Sequence, residues 1–100
     1  MRSLTKDNFN DAISHGRILV SFGATWCGYC RVMTPVVEEL ANKYSDVIQV
    51  VKVDVDEEET LTDSYNVTTY PTFILFENGV EVNRKTAANS IEELERMMAQ

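Results

Sequence analysis

The chain has 100 residues, of which 44% are hydrophobic and 25% charged, and a net charge of -7. That length fits one domain, residues 1–100, with room for a real core, and the acidity leaves no basic patch for a nucleic-acid partner. No apolar run reaches the length of a membrane span, and two cysteines cannot staple a disulfide framework.

The opening Met1-Arg2-Ser3-Leu4-Thr5-Lys6-Asp7 turns polar at once and lacks the apolar centre of a secretion signal. A reducing cytoplasm is therefore the expected compartment. Residues ahead of Thr5 can add an edge strand. Thr5 is placed to cap a short helix with Phe9, Ala12 and Ile13 on one side. His15-Gly16 ends that helix, Gly16 being suited to a left-handed cap. His15 is the only histidine; with no ligand partner nearby, it reads as a solvated helix end and not as a metal ligand.

Ile18-Leu19-Val20-Ser21-Phe22 reads as a strand buried on both faces, and Gly23-Ala24-Thr25 turns the chain into a cysteine-bearing loop. Helical spacing of Val32, Met33, Val36, Val37, Leu40 and Tyr44 predicts a helix over 32–44. Pro35 falls inside it and predicts a kink. Glu39 and Lys43 are spaced to pair across one turn. The β-branched run over 47–55 predicts the next strand, in which Lys52 reads as a lysine reaching water. Asp56-Glu57-Glu58-Glu59 then opens a short helix with its acids at the favourable end. Leu61 and Tyr65 give that helix an apolar stripe, and Asn66 ends it.

Thr68-Thr69-Tyr70-Pro71 forms a second loop, directly before the apolar run Thr72-Phe73-Ile74-Leu75-Phe76. Asn78-Gly79 predicts a tight hairpin into Val80-Glu81-Val82-Asn83-Arg84. Ser90-Ile91-Glu92-Glu93 is a capping box for a last helix with Ile91, Leu94, Met97 and Met98 as its apolar side. Helix, strand, helix, strand, helix, hairpin and helix in succession mean an α/β fold, with helices packed around a mixed sheet.

The chemistry concentrates in Trp26-Cys27-Gly28-Tyr29-Cys30, which holds the only cysteines. Two cysteines at this spacing, between a strand and a helix, read as a dithiol/disulfide redox site. A helix N-terminus points unpaired N–H groups and the positive end of its dipole outward. Cys27 stands there, so it is expected to be the more exposed and more acidic thiol, with the thiolate as nucleophile. Cys30, one turn on, is close enough to attack a mixed disulfide made by Cys27.

The chain resembles the thioredoxin family over nearly its whole length. The resemblance rests on Phe22-Gly23-Ala24-Thr25-Trp26-Cys27-Gly28-Tyr29-Cys30, on Pro35, on Val51-Lys52-Val53-Asp54, on Tyr70-Pro71-Thr72-Phe73 and on Phe76-Glu77-Asn78-Gly79. It implies a thioredoxin fold, a mixed sheet of four or five strands with helices on both faces. It also implies a cis bond before Pro71, beside the cysteines, where backbone can pair with an extended substrate segment. By the same resemblance Cys27 attacks and Cys30 resolves, while Trp26, Gly28, Tyr29, Thr69, Tyr70 and Pro71 form the substrate surface. The implied enzyme is a monomeric protein-disulfide oxidoreductase that binds no cofactor or metal and draws its electrons from a flavin-containing thioredoxin reductase.

The pattern is not uniform. Tyr29 stands where the family usually has proline, Ser21 where it has a buried aspartate, Gly23 in place of a frequent aromatic, and Ala87-Ala88 where glycine is common. The partner lysine is retained as Lys52. With Ser21 beside it, Lys52 has no buried counter-ion, so its ammonium reaches water or another acid, or desolvation lowers its pKa. Tyr29 restores a backbone N–H near the Cys27 sulfur, and Ser21 removes a negative charge, so a weaker reductant than the proline-loop members is expected. Two other readings stay open: a glutaredoxin-like enzyme using glutathione, to which Cys-Gly-Tyr-Cys is also similar, and an iron–sulfur or metal-binding module with the cysteines as shared ligands.

Overall fold

Strand β2 (Arg17–Gly23) carries the cysteine loop at its end and lies in the middle of the sheet. The computed structural model describes residues 1–86, 88 and 90–99. Their elements are β1 (Arg2–Ser3), α1 (Phe9–Ile13), β2, α2 (Gly28–Lys43), β3 (Gln49–Asp54), α3 (Glu59–Ser64), β4 (Thr72–Glu77), β5 (Val80–Thr86) and α4 (Ile91–Met98). The sheet order is β1-β3-β2-β4-β5. β1 and β3 run parallel to β2, whereas β4 is antiparallel to β2 and β5 to β4. This is the mixed sheet expected, with five strands.

Alternation along the strands divides the core in two. Ile18, Val20, Phe22, Val51, Val53, Ile74 and Phe76 face one way, onto Phe9 and Ile13 of α1 and Leu61 of α3. There Phe9, Phe22, Tyr65 and Phe76 stack edge to face or tilted, with centroids 5.3 to 6.3 Å apart. Leu19, Val50, Phe73 and Leu75 face the other way, onto Met33, Val37 and Leu40 of α2 and Leu94, Met97 and Met98 of α4. Helices therefore cover both faces.

Local structure differs from the sequence reading at several places, among them β3, which spans Gln49–Asp54 and not 47–55 and leaves Val47 exposed. Asn8, not Thr5, stands at the N-cap of α1; the Thr5 carbonyl accepts from the N–H groups of Asn8 and Phe9, so Thr5 opens the turn before the helix. Helix α2 starts at Gly28, ahead of the apolar spacing, because Cys27 caps it. Val32 is 69% exposed, since Met33, Val37 and Leu40 already fill the face toward the sheet. Lys43 does not pair with Glu39 but bridges to Glu95 of α4 at 2.7 Å. The remaining punctuation follows the sequence. Gly16, Asn66, Asn78 and Gly79 all have positive φ, and the Ser90 hydroxyl accepts from the Glu93 N–H at 3.4 Å. Pro35 lies inside α2, which continues through it. Ala87 lies outside the described residues.

Candidate active site

Helix α2 begins immediately after β2, and its first turn is built on sulfur. The Cys27 N–H donates to the Ala24 carbonyl at 3.2 Å, closing the loop. Cys27 then occupies the N-cap, where its sulfur accepts from the Cys30 N–H at 3.2 Å. A side-chain acceptor at this position satisfies a donor that the helix leaves unpaired. A thiolate satisfies it better than a thiol and also meets the positive end of the dipole.

The two thiols are accordingly pushed apart in acidity. Hydrogen bonding from the Cys30 thiol holds Cys27 below its ordinary value against the cost of burial, aided by the backbone N–H groups of Cys30 and Tyr29. Burial first, and then the neighbouring Cys27, push Cys30 up to about 11. The expected order of acidity holds; whole-residue exposure runs the other way from the expectation, but burial weighs more on the Cys30 sulfur than on that of Cys27. Cys27 is 9% exposed and faces the Tyr70 carbonyl at 3.9 Å, while Cys30 is partly exposed. Both cysteines are free thiols.

Around them the residues expected to form the substrate surface come from two segments, 26–29 and 69–71. Trp26 is 64% exposed, held by its indole N–H donating to Asp56 at 2.6 Å and by an edge contact with the Tyr70 ring at 6.1 Å. Gly28 and Thr69 are exposed, Tyr70 is half-buried and Pro71 is buried. The Tyr70–Pro71 bond is cis. Tyr29 is exposed, and its hydroxyl reaches the Ala88 carbonyl at 2.8 Å, tying the cysteine loop to the segment before α4. The buried Thr72 hydroxyl donates to the Thr69 carbonyl at 2.5 Å and holds the loop before Pro71.

Sequence spacing did not point to Asp56 as the Trp26 anchor or to Ala88 as the Tyr29 partner. Each lies far along the chain, and Asp56 read only as a helix-opening acid. Lys52 is exposed and makes no ion pair or side-chain hydrogen bond among the described residues. His15 is likewise exposed. Among the described residues no group of three or more histidines, cysteines or carboxylates is placed to hold a metal ion. No helix among them is long and apolar enough to cross a membrane.

On the other side of Cys30 a cleft of about 600 Å³ runs between α2 and the β1–β3 side of the sheet. Ser21, Gly23, Cys30, Arg31, Lys52 and Asp54 are among its walls.

The thioredoxin family model matches residues 1–100. A thioredoxin from Alicyclobacillus acidocaldarius is 40% identical over 98 residues, covering 97% of this chain and 93% of that one. A Chlamydia trachomatis thioredoxin is 36% identical over 96 residues, covering 96% and 93%. The solved structure of a Plasmodium falciparum thioredoxin superposes with a TM-score of 0.91 at 33% identity, covering 99% of this chain and 97% of that one. With a dithiol at the head of α2 and these relatives along its full length, the chain belongs to the thioredoxin family and is a protein-disulfide oxidoreductase.

Proposed function

We propose that Cys27 attacks a disulfide in a protein substrate and that Cys30 resolves the product. One observation carries this assignment: the Cys27 sulfur is the N-cap of α2 and accepts the Cys30 N–H at 3.2 Å. In the first step the Cys27 thiolate bonds to one substrate sulfur, the substrate S–S bond breaks, and the other substrate sulfur leaves as a thiolate. In the second, Cys30 loses its proton to water and attacks the Cys27 sulfur. The Cys27–Cys30 disulfide forms and the second substrate thiolate departs. Two electrons have passed from the dithiol to the substrate.

Trp26, Gly28, Tyr29, Thr69, Tyr70 and Pro71 form the surface that receives the substrate. An exposed indole beside a partly exposed phenol ring gives such a surface an apolar patch with polar edges. The protein acts as one monomeric domain in the cytoplasm, and a thioredoxin reductase returns it to the dithiol. Its family and its use of cysteine only as a reactive pair support that setting.

Trapping tests the roles. The Cys30→Ser variant should accumulate mixed disulfides with substrate proteins through Cys27, releasable by dithiothreitol. The Cys27→Ser variant should capture few or none. Equal capture by both, or capture by Cys27→Ser alone, overturns the assignment.

A further inference from the structure

The cleft beside Cys30 exists because of two small residues on one face of the sheet. Strand alternation puts Leu19, Ser21 and Gly23 on the side that α2 covers, and the parallel register sets Val50, Lys52 and Asp54 opposite them. Leu19 and Val50 meet the apolar face of α2 and are buried. Farther along, Ser21 and Gly23 offer almost no volume beneath the first turns of the helix, and the space of about 600 Å³ stays open. A Cβ on Gly23 would stand 3.2 Å from the Cys30 sulfur, so this sulfur borders the gap left by the glycine.

We infer that this cleft is a second entrance to the oxidised site, through which a small zwitterionic thiol, of amino-acid size and carrying both an ammonium and a carboxylate, reduces the protein by attacking Cys30. The inference rests on the Cys27/Cys30 disulfide of the proposed cycle. Cys30 lines the cleft and Cys27 does not; nor do Trp26, Tyr29, Thr69 or Tyr70, and of the substrate surface only Pro71 is shared. The approach to the Cys30 sulfur is therefore separate from the face offered to proteins.

The charges of the walls select the ligand. Lys52 and Arg31 supply two side-chain cations, against the four carboxylates of Glu38, Asp54, Glu57 and Glu58. Lys52 is uncommitted among the described residues, whereas one Asp54 oxygen already accepts from the N–H groups of Asp56 and Glu57. A ligand carboxylate has Lys52 to meet and a ligand ammonium has the acids. A purely anionic thiol meets net repulsion, and a neutral one meets neither attraction.

The chemistry closes without another reactant. The small thiolate bonds to the Cys30 sulfur, the Cys27–Cys30 bond breaks, and the electron pair leaves on Cys27. Leaving as a thiolate is easier for the more acidic sulfur, and Cys27 is the one stabilised at the helix N-cap. A second small thiolate then attacks the ligand sulfur of the mixed disulfide. Cys30 departs, takes a proton, and one small disulfide is released. Two thiols have been oxidised and one protein disulfide reduced.

The experiment uses the full oxidised chain, mixed for milliseconds with cysteine, then quenched with an alkylating reagent and mapped by fragment-ion mass spectrometry. The expected product carries the cysteinyl adduct on Cys30 and the alkyl group on Cys27; adducts on Cys27 overturn the inference. After correction for thiol pKa, cysteine should reduce the protein faster than mercaptoethanol, and mercaptoacetate slowest. Lys52→Glu should remove about threefold of the rate with cysteine, the scale of one exposed charge contact, and little with mercaptoethanol, while Lys52→Arg restores it. An equal effect on all thiols, or none on any, overturns the charge selection. If the adduct falls on Cys27 while Cys30→Ser still captures proteins, the cleft is refuted and the proposed roles stand; if capture is lost as well, both fall.

Discussion

At Cys27 a sulfur stands where helices usually carry a serine or aspartate oxygen, and its consequences can be measured residue by residue. With Cys30 raised to about 11, roughly one Cys30 in ten thousand is a thiolate at pH 7. Thiolate supply favours Cys27, so iodoacetamide at pH 6 to 7 should label Cys27 first. The labelling rate should rise through a pKa below 9.0, the ordinary thiol value. Labelling of Cys30 first would contradict the assignment. Tyr29 bears on the Cys27 sulfur and Ser21 on the cleft beside Cys30. The Tyr29 N–H lowers the pKa of Cys27, and a donor to the thiolate stabilises the reduced form, making the disulfide easier to reduce. Tyr29→Pro removes that donor, and Ser21→Asp brings a negative charge near Cys30. Each should lower the potential, together by about 30 mV if the two amount to about 1.4 kcal/mol. Equilibration against a glutathione buffer measures this. Tyr29→Phe keeps the N–H and loses the hydroxyl that donates to Ala88, so its potential should match the parent.

The helices show where sequence spacing carries an element and where it stops. Apolar periodicity found the inner face of α2 but also marked Val32, because a window of 3.6-residue spacing tolerates a stripe wider than the contact. Leu40 is fully buried, and Leu40→Ala should cost about 3 kcal/mol in urea unfolding. Val32→Ala should stay within about 0.5 kcal/mol. Charge spacing named Glu39 for Lys43, yet Lys43 and the Tyr44 hydroxyl both go to Glu95, clasping α2 to α4. A partner 52 residues away along the chain from Lys43 has no signature in local spacing. The clasp has its own pH dependence. Lys43, then Tyr44, hold the Glu95 carboxyl below its ordinary 4.5, so its contribution is complete above that value and is lost as pH falls through the lowered one. Glu95 raises both Lys43 and Tyr44, so their contribution is complete below about pH 10 and is lost as pH rises through the raised values. Lys43 is exposed while Tyr44 and Glu95 are half-buried, so salt weakens the ion pair in part. Melting temperatures of the parent and Glu95→Gln should differ in the neutral range, converge in acid, and differ less in high salt; a gap that persists unchanged at pH 2 would contradict this.

Across the whole molecule, the α/β order, four of the five strands and the cysteine loop were legible because each rests on a local signal: β-branched runs, Asn-Gly, a capping box and the Cys-x-x-Cys spacing; β1, two exposed residues, has no such signal. The cleft was not. Ser21 and Gly23 each stood out as a departure, but their sharing a face with Lys52 beneath Cys30 depends on register between β2 and β3, which only the folded chain defines. The Trp26–Asp56 contact escaped for the same reason. Sheet order has one more consequence, in the language of hydrogen exchange. β2 is flanked along its length by β3 and β4, whereas β1 is a two-residue edge and β5 pairs on one side only. Amides of β2 should therefore exchange only through global opening, and those of the edges through smaller, more frequent openings. If so, deuterium uptake in β2 should be the same in the dithiol and disulfide forms unless overall stability itself changes. The reactive loop would then be tethered to the last part of the protein to open, and its sulfurs would change partners while the strand that carries them keeps its protons.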